Sequence, residues 1–191
     1  MAQAARSVVL IRRKYEKSTP PVGLLFARPF PIFEFMKLFT LLDSESVKTD
    51  LRPGDKYELI NALVQTLAPK LPTGALEPVR QAVLERERLM STGVGKGFAL
   101  PHGKTQAVDR NHGAFAVLPD PVAFDSLDQQ PVRLVFLLVG PSSDSSTHIQ
   151  LLSRISRLMN HDAFRLRLLE CRTPQSVLQA FKDEENRFSI R

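Results

Sequence analysis

Cysteine is nearly missing from this chain: Cys171 is the only one among 191 residues. A lone thiol excludes an intramolecular disulfide framework and a multi-cysteine metal site, and it fits a reducing, cytoplasmic setting. Its place in a helical C-terminal region reads as that of a small, buried or half-buried hydrophobe. Long apolar runs are also missing. No stretch approaches the roughly eighteen apolar residues that a membrane-crossing helix needs, so no membrane insertion is expected. The apolar residues 22–27 stop at Arg28 without a small-residue cleavage site, which argues against a secretory signal. The net charge of +6 lacks a basic face to go with it. Residues 1–35 carry +4 of that excess, leaving the rest nearly balanced. That distribution argues against a nucleic-acid partner. Histidine is scarce as well, with four in the chain, so imidazole chemistry is confined to His102, His112, His148 and His161.

What is present reads as one α/β domain. Residues 1–35, with Arg12-Arg13-Lys14 and four prolines, show no helical or strand period. Three readings of them stay open: a disordered basic leader, a docking arm, or a start assigned too early, with Met36 as the true beginning. From residue 36 the pattern becomes regular. Asp55 followed by Glu58 is a capping-box-like start, and apolar positions 59, 60, 63, 64 and 67 trace one helix face that stops before Pro69. A second helix is expected over 75–90, with Pro78 in its first turn. Strands are expected at 98–100, 113–118, 122–124 and 132–139, the last apolar enough to be a central strand covered on both faces. Helices follow near 147–160, with Ile149, Leu152 and Ile155 inward, then after Asp162, then from Thr173-Pro174. The architecture expected is a mixed central sheet with helices on both faces, over 36–183, followed by a polar, frayed tail at 184–191.

One stretch carries the chemistry: Ser91-Thr92-Gly93-Val94-Gly95-Lys96-Gly97-Phe98-Ala99-Leu100-Pro101-His102-Gly103. Alternating glycines free the backbone for a tight turn, and Pro101 biases Leu100 toward extended backbone. His102 is thereby presented at the end of an expected strand, with Gly103 leaving its imidazole uncrowded. Imidazole is a nucleophile that titrates near neutral pH. A nearby turn of N–H donors suits phosphoryl oxygens, so Thr92, Gly93 and Gly95 are candidate phosphate-binding residues. Neither Gly-Lys pair stands in a P-loop frame, which argues against a nucleotide. His102 and His148 have no obvious carboxylate or cysteine partner, so neither a metal nor any other cofactor is expected. His112 and His161 read as exposed turn or capping residues.

Glu87, Val94-Gly95 and Ala99-Leu100-Pro101-His102-Gly103, in that spacing, resemble the active-site signature of the type-2 enzyme IIA domain. That domain belongs to the bacterial phosphoenolpyruvate-dependent phosphotransferase system, in its fructose, mannitol and nitrogen-regulatory branch. Phe98 departs from the branched aliphatic residue or Met that the signature favours. The similarity runs over about 36–181. It implies a phosphohistidine carrier with His102 as the phosphorylated nucleophile. His148, which opens the string His148-Ile149-Gln150-Leu151-Leu152, would lie beside it, and Arg86 would neutralise the incoming phosphoryl group. The implied donor is a carrier protein of the HPr or NPr kind. The implied acceptors are a IIB cysteine, in sugar transport, or regulated target proteins. With no IIB, IIC or HPr segment in these residues, the expectation leans to a nitrogen-regulatory role. The contrasting expectation is a binding module in which His102 is never phosphorylated. Oligomeric state is not legible.

Overall fold

A computed structural model describes residues 37–189. The expectations for residues 1–35 lie outside the described residues. A 3-10 turn at Leu38–Leu41 leads to β1 (Val47–Lys48). Helix α1 (Lys56–Thr66) then begins where its capping residues predict. The Asp55 carboxylate accepts the Glu58 N–H at 2.8 Å, while Glu58 reaches back to the Gly54 N–H at 2.7 Å. A 3-10 turn at Ala68–Lys70 absorbs Pro69, and α2 (Leu76–Leu89) follows. Four strands come next: β2 (Gly93–Gly95), β3 (Phe98–Ala99), β4 (His102–Thr105) and the long β5 (His112–Val122). β6 (Val132–Pro141) precedes three helices, α3 (Ser145–Met159), α4 (Asp162–Glu170) and α5 (Pro174–Ser189).

The sheet is mixed, in the order β1-β5-β6-β3-β2, with β4 also paired to β6. β6 runs antiparallel to β5 and parallel to β3 and β4. It is the central strand that its apolar run predicts. Leu134, Phe136 and Leu138 join the core under α3, α4 and α5, whereas Val135, Leu137 and Val139 join the core under α1 and α2. Strand alternation sends successive side chains to opposite faces, so one unbroken apolar run serves both layers. On the first face Phe181 meets Phe115, Phe136 and Phe164 edge-on, with ring centroids 5.0, 6.0 and 5.2 Å away.

Several sequence expectations are corrected. Residues 122–124 do not form a separate strand, because β5 runs on to Val122 through a register shift after Val117. His112 is not an exposed turn residue: it opens β5 and is 6% exposed. In α3 the inward face begins one residue earlier than hydropathy suggests. His148 and Leu151 are buried, and Ile149 points out, 61% exposed. Asp162 is the first helical residue of α4 and not its cap, a position held by His161. The C-terminal end is not frayed at residue 184, since α5 continues to Ser189 and Glu184 and Glu185 are buried. Glu185 accepts the N–H groups of Leu38 and Phe39 at 2.8 and 3.0 Å and pairs with Arg154 at 3.0 Å. A carboxylate at the free N–H groups of a turn is favourably placed, and this one ties the first turn to the last helix.

Candidate functional site

His102 opens β4 and does not end a strand, because β3 stops at Ala99. The Pro101 carbonyl accepts the Leu138 N–H at 3.0 Å, which registers His102 against Leu138 of β6. Gly103 has a steric role other than the one its sequence suggests. A Cβ there would stand 2.9 Å from the backbone of Ala82 and Val83. Only glycine lets α2 lie directly on β4. That contact brings Arg86, one helical turn past Ala82, close enough for its charge to disfavour a charged His102. Arg86 is half-buried, and its Nη1 donates to the Met90 carbonyl at 2.9 Å at the end of α2.

The His102 ring is oriented by its own backbone. Nδ1 lies 2.9 Å from the Leu100 carbonyl, which can only accept, so Nδ1 carries the proton and Nε2 keeps its lone pair. Burial and the Arg86 charge push its pKa below the ordinary value, against the opposing pull of the Leu100 carbonyl and the Glu87 carboxylate. The outcome is a neutral imidazole with one free nitrogen.

His148 is brought to it from the other side of the sheet. Asp144 caps α3 by accepting the Thr147 N–H at 3.0 Å, and His148 follows in the first turn. Its ring centroid is 6.0 Å from that of His102, and the ring is 2% exposed. Nδ1 faces the Asn111 side-chain oxygen at 3.4 Å, a long hydrogen bond, while Nε2 is buried without a partner among the described residues. Burial, His102 and Lys104 together pull its pKa down to about 4. Gly140 makes room for this pair, because a Cβ there would collide with the Asn111 oxygen and stand 2.8 Å from His148 Nδ1.

Sequence reasoning about single residues overlooked Glu87 as a brace. Glu87 is 2% exposed, and one oxygen accepts both the Thr92 N–H at 3.0 Å and the Thr92 hydroxyl at 2.5 Å. The other oxygen lies 3.3 Å from Lys56 Nζ, which also bonds Asp125 at 2.7 Å. A charged residue on the buried side of a helix is the signal that could have found it. Asn111 carried no signal, since its contact with His148 crosses 37 residues of sequence.

The three candidate phosphate-binding residues are not brought to His102 with free donors. Thr92 has committed its hydroxyl hydrogen to Glu87. Gly93 and Gly95 belong to a strand that pairs with β3, and the turn beyond them is closed by Asp128, which accepts the Lys96 N–H at 2.7 Å. Gly97 aligns with the start of β6, five residues before the level of His102, or about 16 Å along the strand. The glycines serve conformation and packing. Gly95 and Gly97 have φ of +101° and +71°, and a Cβ on Gly93 would stand 2.5 Å from Ser126 Oγ.

The structure therefore assembles His102, His148 and Arg86 from β4, α3 and α2. It places together a neutral imidazole, a cation and a buried second imidazole. Among the described residues no helix is long and apolar enough to cross a membrane.

Comparison with known proteins identifies the family and the fold. The profile of the family described as "Phosphoenolpyruvate-dependent sugar phosphotransferase system, EIIA 2" matches residues 40–184. A nitrogen regulatory protein of Bradyrhizobium diazoefficiens is 35% identical over 143 residues, covering 74% of this chain and 92% of that protein. The fructose-specific EIIABC component of Bacillus subtilis is 31% identical over 150 residues, covering 78% of this chain; the chain spans 24% of that longer relative. Among solved structures, the nitrogen regulatory protein IIA-Ntr of Neisseria meningitidis superposes with a TM-score of 0.70 at 28% identity, over 75% of this chain and 97% of that one. The chain belongs to the EIIA type 2 family of the phosphoenolpyruvate-dependent sugar phosphotransferase system.

Proposed function

We propose that this protein is a phosphohistidine carrier in which His102 Nε2 accepts and passes on a phosphoryl group. One observation carries the reading: the Leu100 carbonyl holds the proton on Nδ1, leaving Nε2 as a neutral nucleophile between Arg86 and His148. The donor is a phosphohistidine on a carrier protein of the HPr or NPr kind, docked over His102. The bond from Nε2 to phosphorus forms as the donor's nitrogen–phosphorus bond breaks. The donor imidazole leaves with the electron pair, and His102 keeps its Nδ1 proton on Leu100. Nucleophile and leaving group are alike, so the step is close to reversible. Arg86 offsets charge on the phosphoryl oxygens through paired guanidinium donors, and catalysis rests on position and electrostatics. Leu89, Met90 and Ile149 are 83, 66 and 61% exposed, the first two just after Arg86 at the end of α2 and the last beside His148, and supply the apolar contacts that docking needs. This reading makes the protein a cytoplasmic phosphotransferase.

The fate of the phosphate is read as regulatory, with the phosphorylation state governing binding to target proteins. The nitrogen regulatory relative, matched over 92% of its length, supports this. The fructose-specific relative supports a second reading, transfer to a IIB cysteine during sugar uptake.

The test is phosphorylation in vitro from phosphoenolpyruvate through enzyme I and either carrier, followed by intact-protein mass. We expect an acid-labile, base-stable gain of one phosphate that His102→Ala abolishes. No gain with either carrier would leave the non-catalytic binding module as the better account. A clear preference between carriers would separate regulation from transport.

A further inference from the structure

The Nε2 nitrogen of His148 is buried and unpartnered, next to the place where a phosphoryl group would arrive. A neutral imidazole has one proton to give. Asn111 faces Nδ1 with a side-chain oxygen, which can only accept, so the proton sits on Nδ1 and Nε2 offers a lone pair. Phosphoryl oxygens also offer lone pairs. A His148 left in this state would repel the group it is placed to hold.

We propose that Asn111 is a positioning residue that keeps a proton on His148 Nδ1, so that phosphorylation of His102 draws a second proton from solvent onto His148 Nε2. The proposal rests on the phosphocarrier reading above and deepens it. In the unphosphorylated protein the charged state of His148 is disfavoured from every side. The groups acting on it are the His102 ring and the Lys104 ammonium, both on β4, and Lys104 is held to Ser145 at 2.7 Å. The carboxylate on its own helix, Asp144, is taken up by the cap. A phosphate dianion on His102 reverses that balance, because an opposite charge within a few ångströms favours the protonated ring. The cation then donates at both ends, through Nε2–H to phosphate and through Nδ1–H to Asn111. The 3.4 Å contact to Asn111 should shorten toward the range of charge-assisted bonds. Gly140 is what permits the arrangement, since any side chain there would displace Asn111 from His148. One proton is taken up by His148 for each phosphate accepted, and it leaves again when the phosphate does.

Nitrogen-15 NMR of the histidine rings tests this in the full-length protein. Before phosphorylation His148 should be neutral and protonated on Nδ1. After phosphorylation by enzyme I and the carrier it should be protonated on both nitrogens. Asn111→Leu should mix the tautomers of the unphosphorylated ring and lower the equilibrium ratio of phosphoprotein to free protein. Asn111→Asp, which keeps the acceptor, should restore that ratio. The ratio for wild type relative to His148→Gln should fall about tenfold per pH unit as pH rises above about 4, and level off once His148 of the phosphoprotein loses its proton. A phosphoprotein whose His148 stays neutral overturns the proposal and leaves the carrier function standing. An unphosphorylated ring protonated on Nε2 overturns it as well, even if no phosphate is ever accepted. Failure of phosphorylation itself would remove both readings together.

Discussion

His102 and His148 are both held neutral, and each uses a different neighbour to decide which nitrogen bears the proton. For His102 that neighbour is a backbone carbonyl two residues away; for His148 it is a side chain from another loop. The cost of keeping these rings uncharged shows up in stability against pH. Both pKa values lie below the unfolded value of 6.5, with His148 at about 4, and buried His112 is shifted the same way. Between those values the unfolded chain binds protons that the folded one refuses, so unfolding becomes easier as pH falls. The stabilisation is complete above about pH 6.5 and is lost progressively toward pH 4. Each such group contributes a slope of up to about 1.4 kcal/mol per pH unit. Urea unfolding from pH 7.5 to 4.5 should show this decline, and His148→Gln should flatten it. An unchanged slope in that variant would mean that His148 is already charged in the fold. At this scale a spaced string marks His102, His148 and Arg86, and the fold brings the three together. Thr92, Gly93 and Gly95 misled because sequence shows donors but not who has claimed them. Glu87 claims the Thr92 hydroxyl, and Asp128 claims the Lys96 N–H of the turn from 32 residues away.

Helices and strands fix what a motif alone leaves open. The Pro-His-Gly string reads as a presentation device for a histidine, yet its glycine answers to α2. Gly103→Ala puts a methyl group 2.9 Å from helix backbone, which cannot move like a side-chain tip. We expect a loss of about 1–3 kcal/mol in stability, as for other overpacked sites. Arg86 would shift away from His102, slowing phosphoryl transfer in the folded fraction. Thermal unfolding and transfer assays on one preparation check both parts. A stable Gly103→Ala variant with full transfer would show that α2 reaches the site by another contact. Hydropathy also misjudged α3, because the inward position at its start is filled by a polar ring. His148, Leu151, Ile155 and Leu158 make the buried stripe at helical spacing, and Ile149 is left outside it. A histidine that takes a core position displaces the pattern by one residue. The α1 face and the central strand were read correctly because nothing but packing acts there.

Across the whole domain one apolar strand divides the interior into two layers. The layer under α3, α4 and α5 is centred on Phe181, whose ring touches three other phenylalanines. Truncating it should remove more than its own buried area, because edge-to-face contacts go as well. Phe181→Ala should cost about 3–5 kcal/mol, read as a lowered urea midpoint. The pKa of His102, which sits on β4 against α2, should stay put. A midpoint within experimental error of wild type would show that the layer is held elsewhere. The mixed sheet and its two helical layers were legible from alternation and run length. The fate of the C-terminal end was not, because polar Glu184 and Glu185 look solvent-bound until their partners are known.

Those partners give the fold one further property. Through Glu185 the beginning and the end of the domain are stitched together, 2.8 Å apart at Leu38. Both lie toward β1, with β5 and β6 standing between β1 and His102's strand, about 14 Å across the sheet. A unit whose two ends meet away from the His102 strand behaves like a plug-in cartridge. It can be spliced beside or into other polypeptides without touching His102, and the stretch matched to this chain makes up only 24% of its fructose-specific relative.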